Sequence, residues 1–548
     1  MRRPLLVFVG ALVCGVIAVA PAAGVSKQGP KRGGTIVLLR PSTSEPACLN
    51  PFACAAPIDP SVMQVLEGAY EIASDLVVRP NLVSGVSIGR KPFTLTYHIR
   101  PEARWSDGTP VTSSDFWFTQ RMFARQPMPV DPGGEIRAAH RRIGRARMLA
   151  PKTFQIELRE PFAGWRELYP LVLPRHVLAG TDLAKVWLDR IDDPRTGAPI
   201  GTGPFLVGRW ERGKQLTLVR NARYWGPHTA YVDRLVFRFA PTDPGDPLGP
   251  IRRNEFDVSA ALGGGLMSRE VAQQVRQTPG WRVATWPALG MEHLAFRVGE
   301  GGHPALRHKL VRRALAFGVD RVAITRAIQS EADQSTRRPL DSTVFLPSEQ
   351  FYSPNWRAYR RDTRRAQQLL AQAGCRRGSD GVYQCAGERL RLRLATTPDP
   401  VRAQVLELVK AQLRPVGVEI EPVFLPPSAF FGQLLPSGEF DIALFAWVDS
   451  GGFVWPEALC THDQNSTGFC SRLIMRDAQQ VDLIVDPAQR ARVLNAVDVK
   501  LARAVPALPI VQPVLRQAIR STVRGVVSGG APMHIVQNSE DWWLAEPR

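Results

Sequence analysis

Past its first two dozen residues, this 548-residue chain has no apolar run of the roughly 20 residues a membrane-spanning helix needs. It has no glycine-rich loop of the kind that cradles phosphates, so any ATP hydrolysis belongs to a partner. Histidine is scarce, at nine residues, and no His-x-x-x-His pair occurs. His303 and His308 stand five apart, and His462 has only Asp463 beside it. Nine lysines stand against 60 arginines, but no run of five or six like charges forms and no basic stripe with interleaved aromatics appears. The layouts that read nucleic acid are thereby excluded. Internal repeats and low-complexity segments are missing too.

What is present begins with "MRRPLLVFVGALVCGVIAVAPAAG". Two arginines, an uncharged stretch and small residues near Ala20–Ala22 form the layout of a secretory signal peptide over residues 1–24. Cys14 raises a lipoprotein reading, but "ALVC" lacks the Leu-small-small-Cys order and the apolar stretch runs on past it. Attachment by lipid, by an uncleaved leader or not at all stays open. The other six cysteines fall into near pairs: Cys48 with Cys54, Cys375 with Cys385, and Cys460 with Cys470. This pattern predicts local disulfides in an oxidising compartment, each contributing roughly 2–3 kcal/mol by the loop-entropy account. Zinc is the competing reading, but the C-x₂₋₄-C spacing is absent. The formal charge of +19 fits a basic surface facing anionic envelope polymers or lipid head groups.

Residues 35–40, "TIVLLR", read as a short strand, and "PSVMQVLEGAYEIAS" (60–74) has helical spacing. "FTLTYHI" (93–99) alternates as a half-buried strand does. Two strands flank a Glu211–Lys214 turn, and another strand covers 231–240. Helical periods run through 303–328, 362–374 and 401–417, with strands at 389–400, 418–425 and 440–448. These alternations predict an α/β fold with a parallel sheet buried on both faces. At 548 residues several domain-sized units are expected.

The run "FDIALFAWVDSGGFVW" (440–455) carries seven apolar residues, Ile442 to Val448, and then a lone carboxylate. Asp449 stands at the carboxyl end of a strand, where open α/β sheets place their crevices. It is read either as a charge-assisted partner for an ammonium or guanidinium or as an Asx turn in "DSGG". Trp447, Phe453 and Trp455 are candidate pocket walls, with ordinary core as the alternative. Asn465 is a further contact candidate or else a surface turn. "GVSIG" (85–89) matches G-x-S-x-G, but "RKPF" and a strand follow instead of a helix, so Ser87 is read as a chance match. Glu419 and Glu421 alternate with Val418 and Ile420 and read as a solvated face. No enzyme, no metal and no cofactor is expected.

Six stretches together resemble the family 5 extracellular solute-binding proteins, the peptide- and nickel-type receptors of ABC importers. They are "KRGGTIVLLR", "FTLTYHIRPEARWSDGTPVTSSDFWFT", "GTGPFLVGRWERGKQLTLVRNARYWG", "LVRRALAFGVDRVAI", "NSTGFCSRLIMRDAQQ" and "PALPIVQPVLRQAIRSTVRGV", in family order over about residues 31 to 530. The resemblance implies a two-lobed, type II periplasmic-binding-protein-like fold with the ligand between the lobes. Lobe I would comprise 25–58, 200–287 and 507–548, with an inserted subdomain at 59–199 and lobe II at 288–506. Residues 502–511 would be the returning crossing. Trp447-Val448-Asp449 resembles the site that holds a peptide's α-ammonium, though Asp449 lies one residue nearer the tryptophan and the D-x-D-P continuation is replaced by "SGGFVWPEA". Phe52 would face the cleft, and Glu45 in the same loop would meet a cationic group. The implied function is an extracytoplasmic, monomeric receptor that delivers a peptide to an ABC permease with its ATPase. The alternatives are a sugar or metal-chelate receptor, and a sensory or envelope-scaffold protein.

Overall fold

The architecture follows from which strands are apolar on both faces and which on one. A computed structural model describes residues 29–51, 54, 58–72, 77–124, 139–241, 243, 245–259, 262, 267–329, 337–448, 455–462, 464–527 and 536–546. The leader at 1–24, with Cys14, lies outside the described residues.

The chain starts with β1 (Thr35–Pro41), whose burial alternates along its length. It then forms a separate antiparallel sheet from β2 (Val83–Arg90), β3 (Phe93–Ile99), β4 (Ile143–Ala150) and β5 (Thr153–Leu158), in the order β2-β3-β5-β4. Helix α1 (Ser113–Ala124) packs on it, burying Phe116 and Phe123. The chain returns as β6 (Phe205–Glu211), β7 (Gln215–Arg220), β8 (Arg234–Ala240), β9 (Val258–Ser259) and β10 (Trp281–Pro287). β1 pairs in parallel with β8 and β9. The first large sheet is closed by a strand from the far end of the chain, giving the order β10-β16-β9-β1-β8-β7-β6, where β16 is Val514–Arg520.

Between β10 and β16 lies the second unit. It contains β11 (Gly290–Phe296), β12 (Arg391–Thr396), β13 (Glu419–Phe424), β14 (Ile442–Val448) and β15 (Ala507–Val511), in the order β13-β12-β14-β11-β15. Helix α2 (Lys309–Gly318), α3 (Arg321–Ile328), α4 (Thr363–Gln372) and α5 (Pro400–Leu413) supply residues to its main core. The sheet is mixed, which corrects the expected all-parallel one. β12 runs parallel to β13 and β14, whereas β14 and β15 flank β11 antiparallel.

Two expectations on local structure also change. Among the described residues of the 60–74 stretch, only Pro60–Met63 is helical, and Tyr70–Ile72 is a strand. The apolar residues there are buried, so their spacing marked burial and not a helix. At Gly68 a Cβ would stand 2.5 Å from the Pro170 carbonyl oxygen, and Ala69 N–H donates to Tyr169 O at 2.9 Å, so the neighbouring backbone draws the chain out of helix. The 303–328 period is broken between α2 and α3, where the Asp320 carboxylate accepts the Ala323 N–H at 2.9 Å and starts a new helix.

The chain passes between the large sheets twice, at Ala288–Leu289 and at Gln512–Pro513. Residues 507–511 were expected in the first lobe, but β15 pairs with β11 in the second sheet and moves the crossing to 512–513. The crossings are tied side by side. Ala288 N–H donates to Pro513 O at 2.9 Å, and the Gln512 amide donates back to Ala288 O at 2.9 Å. The Gln329 amide, just past α3, donates to Gln512 O at 2.8 Å. Away from these crossings, Ala163 N–H donates to Asp482 O at 2.7 Å and Arg142 pairs with the Asp482 carboxylate at 3.4 Å. The insert therefore also touches the second unit.

The three expected disulfides are present. Cys48 is bonded to Cys54 with a Cα separation of 5.8 Å, Cys375 to Cys385 with 4.4 Å, and Cys460 to Cys470 with 4.6 Å. Cys375 and Cys385 are buried in the main core of the second unit. Cys54 and Cys48 pin the loop after β1, and Cys470 with Cys460 closes the loop that carries Asn465. Among the described residues no helix is long and apolar enough to cross a membrane, and no cluster of three metal-ligating side chains exists.

Candidate ligand-binding site

β14 is paired on one side along its whole length and on the other for only two residues. β11 covers Ile442 to Val448, whereas β12 meets only Ile442 and Ala443. The next group on that side, the Leu444 carbonyl, accepts the Thr396 hydroxyl at 2.8 Å. Main-chain polar groups alternate sides along a strand, so those of Ala446 and Val448 point away from β11. Phe296, of even number like its partner Ile442, donates its N–H to Pro506 O beyond β15's end of the sheet, which fixes the alternation. Among the described residues no strand pairs with the open side at 446–448. Ala446 is half-buried and Val448 exposed, so the main-chain groups on this side can be reached from solvent.

The open edge lies beside an aromatic face. Side chains alternate across a strand, so Phe445 and Trp447 of β14 share a face with Met291 and His293 of β11. The His293 ring lies 4.3 Å from Phe445, 4.6 Å from Trp455 and 6.3 Å from Trp447. Phe430 and Phe431 approach Phe445 at 6.1 and 6.3 Å. At the carboxyl ends of the parallel strands Phe431 brings this face to solvent, 45% exposed, while Phe424 and Val448, 44% and 55% exposed, alternate onto the opposite face. The exposed Phe431 ring, next to Phe445 and the half-buried Trp447, gives this face an apolar surface suited to an apolar guest. His293 donates Nδ1–H to Met291 O at 3.0 Å, and burial holds its pKa down at about 3. It is neutral.

The opposite face of β11 carries charge. The Glu292 carboxylate is buried and meets the Arg402 Nε at 2.6 Å, with Nη2 at 3.4 Å and Nη1 turned to the Thr397 hydroxyl at 3.0 Å. Asp399 caps α5, accepting the N–H groups of Val401 and Arg402 at 3.0 and 3.1 Å.

The residues expected in the site divide into three groups. Asp449, Phe453 and Phe52 lie outside the described residues. Trp447 is half-buried in the aromatic wall, packed on Phe445 at 5.3 Å. Trp455 is core, 1% exposed, with its indole N–H on the Met291 sulfur at 3.4 Å. Asn465 and Glu45 are occupied elsewhere. Asn465 organises its disulfide loop, donating to Leu459 O and Phe469 O at 3.1 and 2.8 Å and accepting from Thr467 and Gly468. Glu45 accepts the Trp210 indole N–H at 2.9 Å and the Gly213 N–H at 3.0 Å, pinning the β6–β7 turn where a cationic ligand group was expected. Ser87 sits inside β2 with its hydroxyl 2.8 Å from His98 Nε2 on an exposed sheet face, and the strand continues through it without an elbow. Glu419 and Glu421 are half-exposed partners of Arg389 and Arg391.

Sequence reading missed Glu292, Arg402 and the exposed phenylalanines. One signal was visible: "GMEHLAF" places two adjacent polar residues in a strand that is buried at every position.

The sequence model of the bacterial extracellular solute-binding proteins, family 5 Middle, matches residues 77–462. The oligopeptide-binding protein OppA of Mycobacterium tuberculosis (strain ATCC 25618 / H37Rv) is 27% identical over 477 residues, covering 84% of this chain and 76% of that protein. Among solved structures, the periplasmic EDTA-binding protein EppA superposes with a TM-score of 0.81 at 20% identity, covering 95% of this chain and 98% of that one. The oligopeptide-binding protein AppA from Bacillus subtilis, solved with a nonapeptide, gives 0.74 at 18% identity over 94% and 100%. The two-lobed, type II periplasmic-binding-protein-like fold is thus shared over nearly the whole chain.

Proposed function

Because the chain belongs to the bacterial extracellular solute-binding proteins of family 5, we propose that its β14 edge receives an extended peptide for delivery to an ABC permease. The single observation that supports this is the open main-chain edge at Ala446 and Val448 beside an apolar aromatic face. Strand addition gives affinity through main-chain hydrogen bonds whatever the peptide sequence, and flanking surfaces select side chains. A sugar or compact chelate has no main chain to match that edge. In this reading the two units close about the crossings at 288–289 and 512–513, and the guest stabilises the closed form by its extra contacts. Asp449 directly follows the edge and takes the ligand's ammonium group, while Phe52 and Phe453 contribute apolar contacts. The protein acts outside the cytoplasmic membrane, as a monomer, and leaves ATP hydrolysis to the transporter.

A thermal-shift screen of the mature chain against peptide pools and Fe(III)-EDTA tests this. A peptide at 100 times its Kd adds about 2.7 kcal/mol of stability. Ala446→Pro removes one edge donor without touching the β11 ladder, and weakens peptide binding about tenfold, the value of roughly one hydrogen bond. Asp449→Ala weakens peptides with a free amine and spares acetylated ones. A shift with the chelate and none with any peptide pool overturns the peptide reading.

A further inference from the structure

Beside the hinge, on the Glu292 face of β11 and so across the sheet from the aromatic wall, lies a pocket of about 130 Å³. A cavity of about 150 Å³ admits a benzene-sized molecule, so this one holds a branched aliphatic group. Its aliphatic lining comes from Ile328, Val405, Val511 and Val514. Its charged lining is Glu292, Asp399, Arg402 and Arg516, two carboxylates against two guanidiniums.

We propose that this pocket is a second ligand site, which takes a compact aliphatic zwitterion the size of a free branched-chain amino acid. The charge balance excludes a guest of net charge, because a buried uncompensated ion is costly. A purely apolar guest is disfavoured for a different reason. It would seal in polar atoms whose hydrogen-bonding capacity is unspent, at a cost of about 1–3 kcal/mol each. Gln329 also lines the pocket, and its Oε1 has no partner among the described residues. Glu292 Oε2 has only the 3.4 Å contact to Arg402. Of the five N–H groups of the Arg402 guanidinium, three are placed, on Glu292 and Thr397. Surplus acceptors and surplus donors on a neutral floor match an ammonium and a carboxylate on one small molecule.

The pocket spans the hinge. Val514 and Arg516 belong to the first sheet, Glu292, Val405 and Val511 to the second unit, and Pro513 to the return crossing itself. Arg516 already bridges the units, donating to Met267 O and to Ile328 O, both at 3.1 Å. A guest there contacts both sides and biases the angle between them, so it changes peptide affinity in the main cleft and is changed by it in the same ratio.

Calorimetric titration of the mature chain with L-leucine, N-acetyl-L-leucine and L-leucinamide tests the site. Leucine binds, and each capped form binds at least tenfold more weakly. Val401→Phe, which fills the pocket from the first turn of α5 and leaves the ion pair intact, also costs at least tenfold. The double variant E292M/R402M, which removes both charges together, does the same. No heat with leucine, equal binding of the capped forms, or unchanged affinity in Val401→Phe overturns the proposal. A parallel titration with peptide keeps the two sites distinct: peptide binding without leucine binding removes only this inference.

Discussion

Glu292 and His293 are chain neighbours in one strand, and the two faces of β11 treat them in opposite ways. On one face His293 is enclosed by Phe445, Trp447 and Trp455 and kept uncharged. On the other Glu292 is paired with the Arg402 guanidinium at 2.6 Å. A strand buried on both faces can thus separate an apolar surface from an ionic one by a single peptide bond, because successive side chains point in opposite directions. The apolar face leads to the open edge of β14, and the ionic face borders the two chain crossings between the sheets.

The comparison breaks most sharply at the ion pair. Glu292→Ala leaves the Arg402 charge buried without its partner and costs about 3–5 kcal/mol in urea unfolding. The E292M/R402M pair recovers most of that loss, and a single-variant cost below about 1 kcal/mol, the range of exposed pairs, means the pair is already solvated. A smaller effect comes from the neutral face, through pH. The pKa of His293 is depressed to about 3 from an ordinary 6.5, so the unfolded chain takes up a proton that the folded chain refuses. The stability it contributes is full above pH 6.5 and falls by about 1.4 kcal/mol per pH unit as pH drops toward 3. Glu67 has the opposite sign. Burial raises its pKa from 4.5 to about 7, so its contribution is full below about 4.5 and is lost as pH rises through 7. The readout is therefore the difference between wild type and His293→Phe: the variant's urea midpoint falls less between pH 7 and pH 5, and parallel curves would show His293 protonating freely. The smallest effect is Phe431→Ala at the exposed rim. Folding stability changes by no more than about 0.5 kcal/mol, while affinity for peptides with large apolar side chains drops several-fold.

The sequence revealed strands and helices wherever period and burial agreed, as in β3, β14 and the 362–374 helix. It failed where tertiary contact overrode the local pattern. At 60–74 the close approach of Gly68 to Pro170 forces extended backbone, and nothing local records that. The parallel sheet was expected because β12, β13 and β14 are linked by helices. The antiparallel β11 and β15 come from distant parts of the chain, and strand direction across such distances leaves no local trace. The open edge was only partly legible. Apolar "IALFAWV" marked a strand, but its open edge is a property of the neighbouring strand's length, and β12 stops at Thr396. Glu45 shows why the sequence falls short: a carboxylate in a loop looks the same whether it holds a ligand or, as here, accepts from Trp210 and Gly213.

The bonded cysteines join in the order in which they emerge, Cys48 with Cys54, Cys375 with Cys385 and Cys460 with Cys470. A chain threaded outward from its amino end meets each correct partner before the next cysteine appears. Oxidation during export can then proceed without reshuffling, and because each bridge stays within a short local segment, none ties the two large sheets together.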